Sequence, residues 1–282
     1  MKYRVYLIMF TMNMFLLSAV QASEKLILGV HPYKSVKKLQ DYYLPLTHLL
    51  SKKLNAEVSL NIAKDYQTHI DLIGKDQIDI AYMGPASYVT LVNKYGKKRL
   101  LARQVIKGKP TFKGNIIIRS DAKIGKLSDL KNKRFAFGDP NSTMSHLVPR
   151  YMLVKNGITK ETLKNVSFLG SHDNVAIAVL TGEFDAGAVK EAVFHKYKAK
   201  GIKSLAVTPE LSEHLFVVSN KVSDKKFDEI RTILLNLNKS EDGNKVLKGI
   251  KKSLTAMGAV SDRDYDNLRE ILNLLKKKKI IK

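Results

Sequence analysis

The run Phe137-Gly138-Asp139-Pro140-Asn141-Ser142-Thr143-Met144-Ser145-His146 crowds three hydroxyls, a carboxamide and an imidazole into about one turn of chain. It follows Arg134 to Gly138, which reads as a buried strand, and leads into a helix expected near Ser142 to Lys155. Strand ends of this kind are where α/β proteins bind ligands. A helix start offers unpaired N–H groups and the positive end of a dipole, and the hydroxyls of Ser142, Thr143 and Ser145 and the amide of Asn141 add donors. That set suits a tetrahedral oxyanion. A plainer reading also stands, in which Asn141 or Ser142 only caps the helix. Pro149 removes a hydrogen bond inside the helix and predicts a kink. Hydrolysis would need Ser142 or Ser145 paired with His146 or His172, but there is no Gly-x-Ser-x-Gly elbow and no Asp placed to orient the imidazole. An enzyme is therefore disfavoured. His31, His48, His69 and His195 are scattered without metal-ligand spacing and read as structural or exposed; neither a metal nor a cofactor is expected.

The elements that must hold this turn alternate between strand and helix. Leu26 to Val30, Ala56 to Ile62, Ile78 to Tyr82 and Leu100 to Ile106 read as strands. Between them, helices are expected after Pro45, over Asp65 to Gly74 and over Ala86 to Tyr95. Lys107-Gly108-Lys109-Pro110 suits a crossing segment, after which the alternation restarts with strands at Asn115 to Arg119, Arg134 to Gly138, Val166 to Leu169, Ala186 to Val189 and Ser204 to Val207. A last strand, Leu215 to Ser219, precedes helices at Phe227 to Leu237, Gly243 to Ile250 and Tyr265 to Leu275, the last with a Leu268, Ile271, Leu272, Leu275 stripe. The pattern predicts two α/β units in series, and no internal repeat is visible.

The chain has 282 residues and no cysteine, which excludes disulfide scaffolds and thiolate chemistry. Its net charge of +23 favours anionic partners. Forty of the cations are lysines and nine are arginines, with no Trp, so the Arg forks and stacking aromatics of nucleic-acid readers are scarce and no nucleic-acid partner is expected. Residues 1–22 combine Lys2 and Arg4 with an apolar run to Val20 and small residues up to Ala22, the pattern of a secretory signal peptide. The protein is expected to work in the periplasm or otherwise outside the cytoplasm.

These residues resemble the periplasmic substrate-binding proteins of phosphate, phosphite and phosphonate ABC transporters. Gly138 to Thr143 followed by Leu147-Val148-Pro149 looks like that family's phosphoryl-binding turn, and Asp79 to Tyr88, Gly170 to Asp173 and Ala259 to Asp266 agree with it. The resemblance implies a type II periplasmic-binding fold, two α/β lobes joined by a two-segment hinge. Lobe 1 would span 23–115, completed by 215–282, and lobe 2 would span 116–214. It also implies that Ser142 and Thr143 hold the phosphoryl oxygens, with Ser145 and Asn141 beside them. Tyr66 would reach them from the first lobe, His172 would lie in the pocket, and Glu191 would stand where aminoalkylphosphonate binders keep a carboxylate. Phe112 stands where many relatives have a tyrosine, and His214 where amine-selective relatives place an acid, so phosphate, phosphite or a simple phosphonate is favoured over an aminoalkylphosphonate. The implied partner is a membrane permease or, alternatively, a sensor kinase, with the binding protein itself a monomer. Selectivity against sulfate would require a hydrogen-bond acceptor, for which Glu191 and His172 are the candidates.

Overall fold

The computed structural model describes residues 24–281; the segment read as a signal peptide lies outside the described residues. The first sheet is opened by β1 (Lys25–Val30), α1 (Val36–Leu54), β2 (Glu57–Ile62), α2 (Tyr66–Gly74), β3 (Ile80–Met83), α3 (Pro85–Tyr95) and β4 (Arg99–Ile106). The chain then leaves through the short β5 (Thr111–Phe112). The second sheet is built from β6 (Gly114–Arg119), β7 (Arg134–Phe137), a wide π-turn at Thr143–Leu147 running into α4 (Val148–Lys155), β8 (Asn165–Phe168), α5 (His172–Leu180), β9 (Ala186–Lys190), α6 (Glu191–Lys198) and β10 (Ile202–Val207). The chain returns through β11 (Leu211–Ser212) to β12 (Leu215–Val218), α7 (Asp224–Leu235), α8 (Glu241–Ile250), β13 (Leu254–Gly258) and α9 (Asp266–Lys277).

The first sheet has the order β13-β4-β12-β3-β1-β2 and the second β10-β6-β9-β7-β8. In each, three strands run parallel, β2-β1-β3 and β9-β7-β8, and the rest are antiparallel. Between the sheets lies an antiparallel pair in which Leu211 faces Phe112 and Ser212 faces Thr111. These two crossing strands are the hinge of a two-lobed α/β fold. The second lobe's first strand begins at Gly114, because that residue already pairs with Lys190 of β9 and its N–H donates to Thr208 Oγ1.

Both sheets are covered on both faces, which explains the unbroken apolar runs. Leu26, Leu28 and Val30 of β1 pack with Leu39, Tyr43, Leu46 and Leu50 of α1, and Ile116, Ile117 and Ile118 of β6 are all buried. The α9 stripe is buried as its spacing predicts, each leucine contributing about 1.5–3 kcal/mol. The same cluster takes in Met144, Leu147 and Val148, so the π-turn of lobe 2 is packed into the flank of lobe 1. Two local readings are corrected. Helix α1 starts at Val36 and carries Pro45 in its interior, on the exposed face, so the Asp41 carbonyl that proline leaves without a helical donor lies on the solvent side. Strand β13 is additional to the sequence reading, an edge strand too short to show a period.

Candidate functional site

The parallel strands of both sheets point their carboxyl ends at one place, the region between the lobes where α/β folds bind ligands. There a small cavity of about 20 Å³ is lined by His31, Tyr33, Tyr66, Gly84, Phe112, Ser142, Thr143, Met144, His172, Lys190 and His214. Its wall is largely a set of helix starts. Tyr66 opens α2, Gly84 caps α3, Ser142 caps the π-turn leading to α4, His172 opens α5 and Lys190 caps α6. Each start brings unpaired N–H groups and about half a positive charge from its dipole. The wall contains no carboxylate.

Ser142 satisfies both sequence readings at once. Its Oγ accepts from the Ser145 N–H at 3.2 Å, the capping bond, and this uses a lone pair, leaving the hydroxyl hydrogen for a ligand. Thr143 Oγ1 accepts from the Ala86 N–H of α3 at 3.0 Å, a bond between the lobes that also spares the hydrogen. Pro149 acts as its chemistry predicts. It has no N–H for the Ser145 carbonyl four residues back, and that carbonyl accepts instead from Gly138 N–H at 3.0 Å. The turn widens, with Val148 N–H reaching the Thr143 carbonyl five residues back. Only glycine fits at 138, since a Cβ there would stand 2.4 Å from Ser145 Oγ.

The three histidines of the wall have their hydrogens placed by their partners. His31 Nδ1 donates to the Tyr82 carbonyl at 3.3 Å, so its Nε2 carries a lone pair; that atom is buried and has no hydrogen-bond partner. His214 Nδ1 donates to the Glu213 carboxylate at 2.8 Å, which likewise leaves Nε2 as an acceptor. His172 is the reverse: its Nδ1 accepts from Lys190 N–H at 3.1 Å, so Nε2 is a donor. Burial holds His31 and His172 well below the usual imidazole range, helped by His214 and Lys190 respectively, and burial lowers His214 despite Glu213. All three rings are neutral near pH 7. Lys190 supplies the cation: its ammonium lies 4.9 Å over the Tyr33 ring with no carboxylate within 4 Å among the described residues, and burial, then Lys251, lowers it to about 8. The cavity therefore offers one cation, several donors and two imidazole acceptors.

Of the residues singled out by sequence, Ser142, Thr143, Tyr66 and His172 meet at this cavity. Three do not. Ser145 is fully buried with its hydroxyl donating to the Ala188 carbonyl at 2.6 Å, because the π-turn points it into lobe 2. Asn141 is held off the wall by its N–H, which donates to Asp139 Oδ1 at 2.7 Å. Glu191 sits half exposed on α6, 3.9 Å from His195. Nor is His172 the acceptor that selectivity against sulfate would require; the free lone pairs belong to His31 and His214. His31, expected to be structural, is in the wall, and Lys190 and Tyr33 join it without having been foreseen.

A model of the family described as ABC transporter, phosphonate, periplasmic substrate-binding protein matches residues 28–265. The chain is 28% identical to the phosphonates-binding periplasmic protein of Escherichia coli K12, covering 83% of this chain and 73% of that one. It is 26% identical to the phosphate-import protein of Mycolicibacterium smegmatis, covering 89% and 86%. A Prochlorococcus marinus protein solved in complex with methylphosphonate superposes with a TM-score of 0.81 at 24% identity, over 90% of this chain and 99% of that one. This likeness shows the shared fold, which is of the type II periplasmic-binding kind.

Proposed function

Because the chain belongs to the periplasmic substrate-binding proteins of phosphonate ABC transporters, we propose that it captures phosphate, phosphite or a simple phosphonate outside the cytoplasm and presents it to a membrane permease. One observation carries this reading: five helix starts, two free hydroxyls and an unpaired lysine converge on a cavity whose wall holds no carboxylate. Ser142, Thr143, Tyr66 and His172 donate to the oxyanion, Lys190 balances its charge, and the hinge lets the lobes close over it. The relatives whose names specify phosphate and phosphonates support the ligand class.

Binding without turnover fits the hydrogens of the site. His172, the ring that hydrolysis would pair with Ser142, presents an N–H to the cavity and cannot take up a hydroxyl proton. His146 faces away, with Nδ1 donating to the Pro140 carbonyl at 2.7 Å. The test is calorimetric titration with phosphate, phosphite, methylphosphonate and sulfate, with phosphorus NMR on the same samples. Saturable binding of at least one phosphorus oxyanion and unchanged NMR spectra are expected. Absence of binding by all three overturns the proposal, as does product that disappears in Ser142→Ala.

A further inference from the structure

Outside the small cavity the cleft widens into a chamber of about 990 Å³, and Tyr33, Phe112, Lys190 and His214 belong to both walls. A substituent on the phosphorus atom would enter this chamber past Lys190. Its wall contains nine lysines among 26 residues and only three acids, Glu191, Glu210 and Glu213. The chain as a whole is lysine-rich, with 40 in 282 residues, yet the chamber exceeds that share more than twofold.

Of the acids, only Glu213 lies deep in the wall, and each of the three has a basic side chain beside it. Glu213 accepts from the His214 ring and N–H, Glu191 faces His195 at 3.9 Å, and Glu210 faces Lys113 at 4.0 Å. Six of the lysines, Lys107, Lys109, Lys190, Lys248, Lys251 and Lys252, have no carboxylate oxygen within 4 Å among the described residues. At the mouth of the cavity, Lys251 and then Lys34 repel the Lys190 ammonium, Glu213 and Asp173 offset them only in part, and this repulsion adds to burial in depressing it. A cationic substituent would add another like charge there, and a neutral one would leave the repulsion standing. An anion between Lys190 and Lys251 would relieve it.

We propose that the chamber is a second binding subsite, and that the preferred ligand is a phosphorus oxyanion whose short organic arm ends in another anionic group, such as a carboxylate. The assignment rests on the oxyanion reading of the cavity. It is tested by titrating the protein with methylphosphonate, 2-aminoethylphosphonate and 3-phosphonopropionate, which share the phosphonate and differ in the charge of the arm. 3-Phosphonopropionate is expected to bind about tenfold more tightly than methylphosphonate, and 2-aminoethylphosphonate more weakly than either. Lys251→Gln together with Lys109→Gln, both outside the small cavity, should cut the 3-phosphonopropionate advantage to about twofold while methylphosphonate binding changes by less than about twofold. If methylphosphonate binds and 3-phosphonopropionate does not exceed it, the subsite is wrong and the oxyanion site stands. If the double variant weakens all three ligands by the same factor, the lysines only steer anions and the proposal also falls. Failure of all three to bind would overturn both readings together.

Discussion

The two lobes bring unlike chemistry to the cavity. Lobe 2 contributes the hydroxyls of Ser142 and Thr143, the N–H of His172 and the ammonium of Lys190, all donors. Lobe 1 and the hinge contribute two bare imidazole nitrogens, His31 Nε2 and His214 Nε2, among the aromatic rings of Tyr33, Tyr66 and Phe112. Donors hold any oxyanion of the right size, whereas acceptors distinguish those that carry a hydrogen. In the proposed complex the difference between the lobes separates affinity from selectivity: lobe 2 supplies most of the grip, with the Tyr66 hydroxyl added from lobe 1, and the two imidazoles of lobe 1 and the hinge read the protonation of what has been gripped.

The strongest test of that division removes the grip. Ser142→Ala and Thr143→Ala should each weaken phosphonate binding about tenfold, and the pair about a hundredfold, by calorimetry. Ser142→Ala should also cost about 1 kcal/mol of stability through the lost cap, visible in denaturant unfolding. Unchanged affinity in the double variant would remove lobe 2 as the holding side.

Next is Lys190→Met, for which a loss of about thirtyfold at pH 7 is expected, the contribution of one buried charge-assisted contact. In the wild type the lysine is depressed to about 8, so an anion binds with proton uptake once the free protein has begun to lose that proton. Affinity should fall as pH rises through about 8. Stability of the empty protein moves the other way: the unfolded chain holds the Lys190 proton more tightly, to about pH 10.4, so the cost of burying the charge fades between those two values and stability rises. In Lys190→Met the Lys190 part of the stability slope should vanish and the affinity slope should shrink to the one set by the oxyanion's own loss of its last proton; an affinity slope as steep as in the wild type would place the titrating cation elsewhere.

A smaller effect separates the lobes directly. His31→Phe should reduce the preference for phosphate over sulfate about fivefold, since only the protonated oxyanion has an O–H to give the Nε2 lone pair. His172→Phe should weaken both ligands and leave the ratio unchanged. Equal ratios in the two variants would dissolve the distinction. The smallest effect belongs to Glu191→Gln, which should alter affinity for phosphate and sulfate by less than about twofold, given its half-exposed place beside His195.

The donor side was legible in the sequence because its signal is local. Hydroxyl density, Gly138 and Pro149 fall within twelve residues of one another, and the physics of a strand entering a helix acts over that range. The acceptor side was not, nor was the cation. His31 becomes an acceptor because β1 lies beside β3 in register with Val30 opposite Tyr82, which brings the Tyr82 carbonyl to its Nδ1. Lys190 reaches the mouth because Gly114 pairs with it across β6 and β9. Among forty lysines, nothing near it in the sequence marks it out. The alternation of strands and helices was readable from apolar spacing, whereas β5, β11 and β13 exist only as partners of distant strands.

The bond between Thr143 and Ala86 gives the molecule a built-in clock. Ala86 is the second residue of α3, where an amide has no acceptor within its own helix, and its hydrogen is held only by a hydroxyl of the opposite lobe. Whenever the lobes part, that hydrogen is released to solvent; whenever they meet, it is locked away. Exchange of this single amide with heavy water therefore reports the parting of the lobes, with no ligand needed, and a bound oxyanion that keeps the lobes together would slow it.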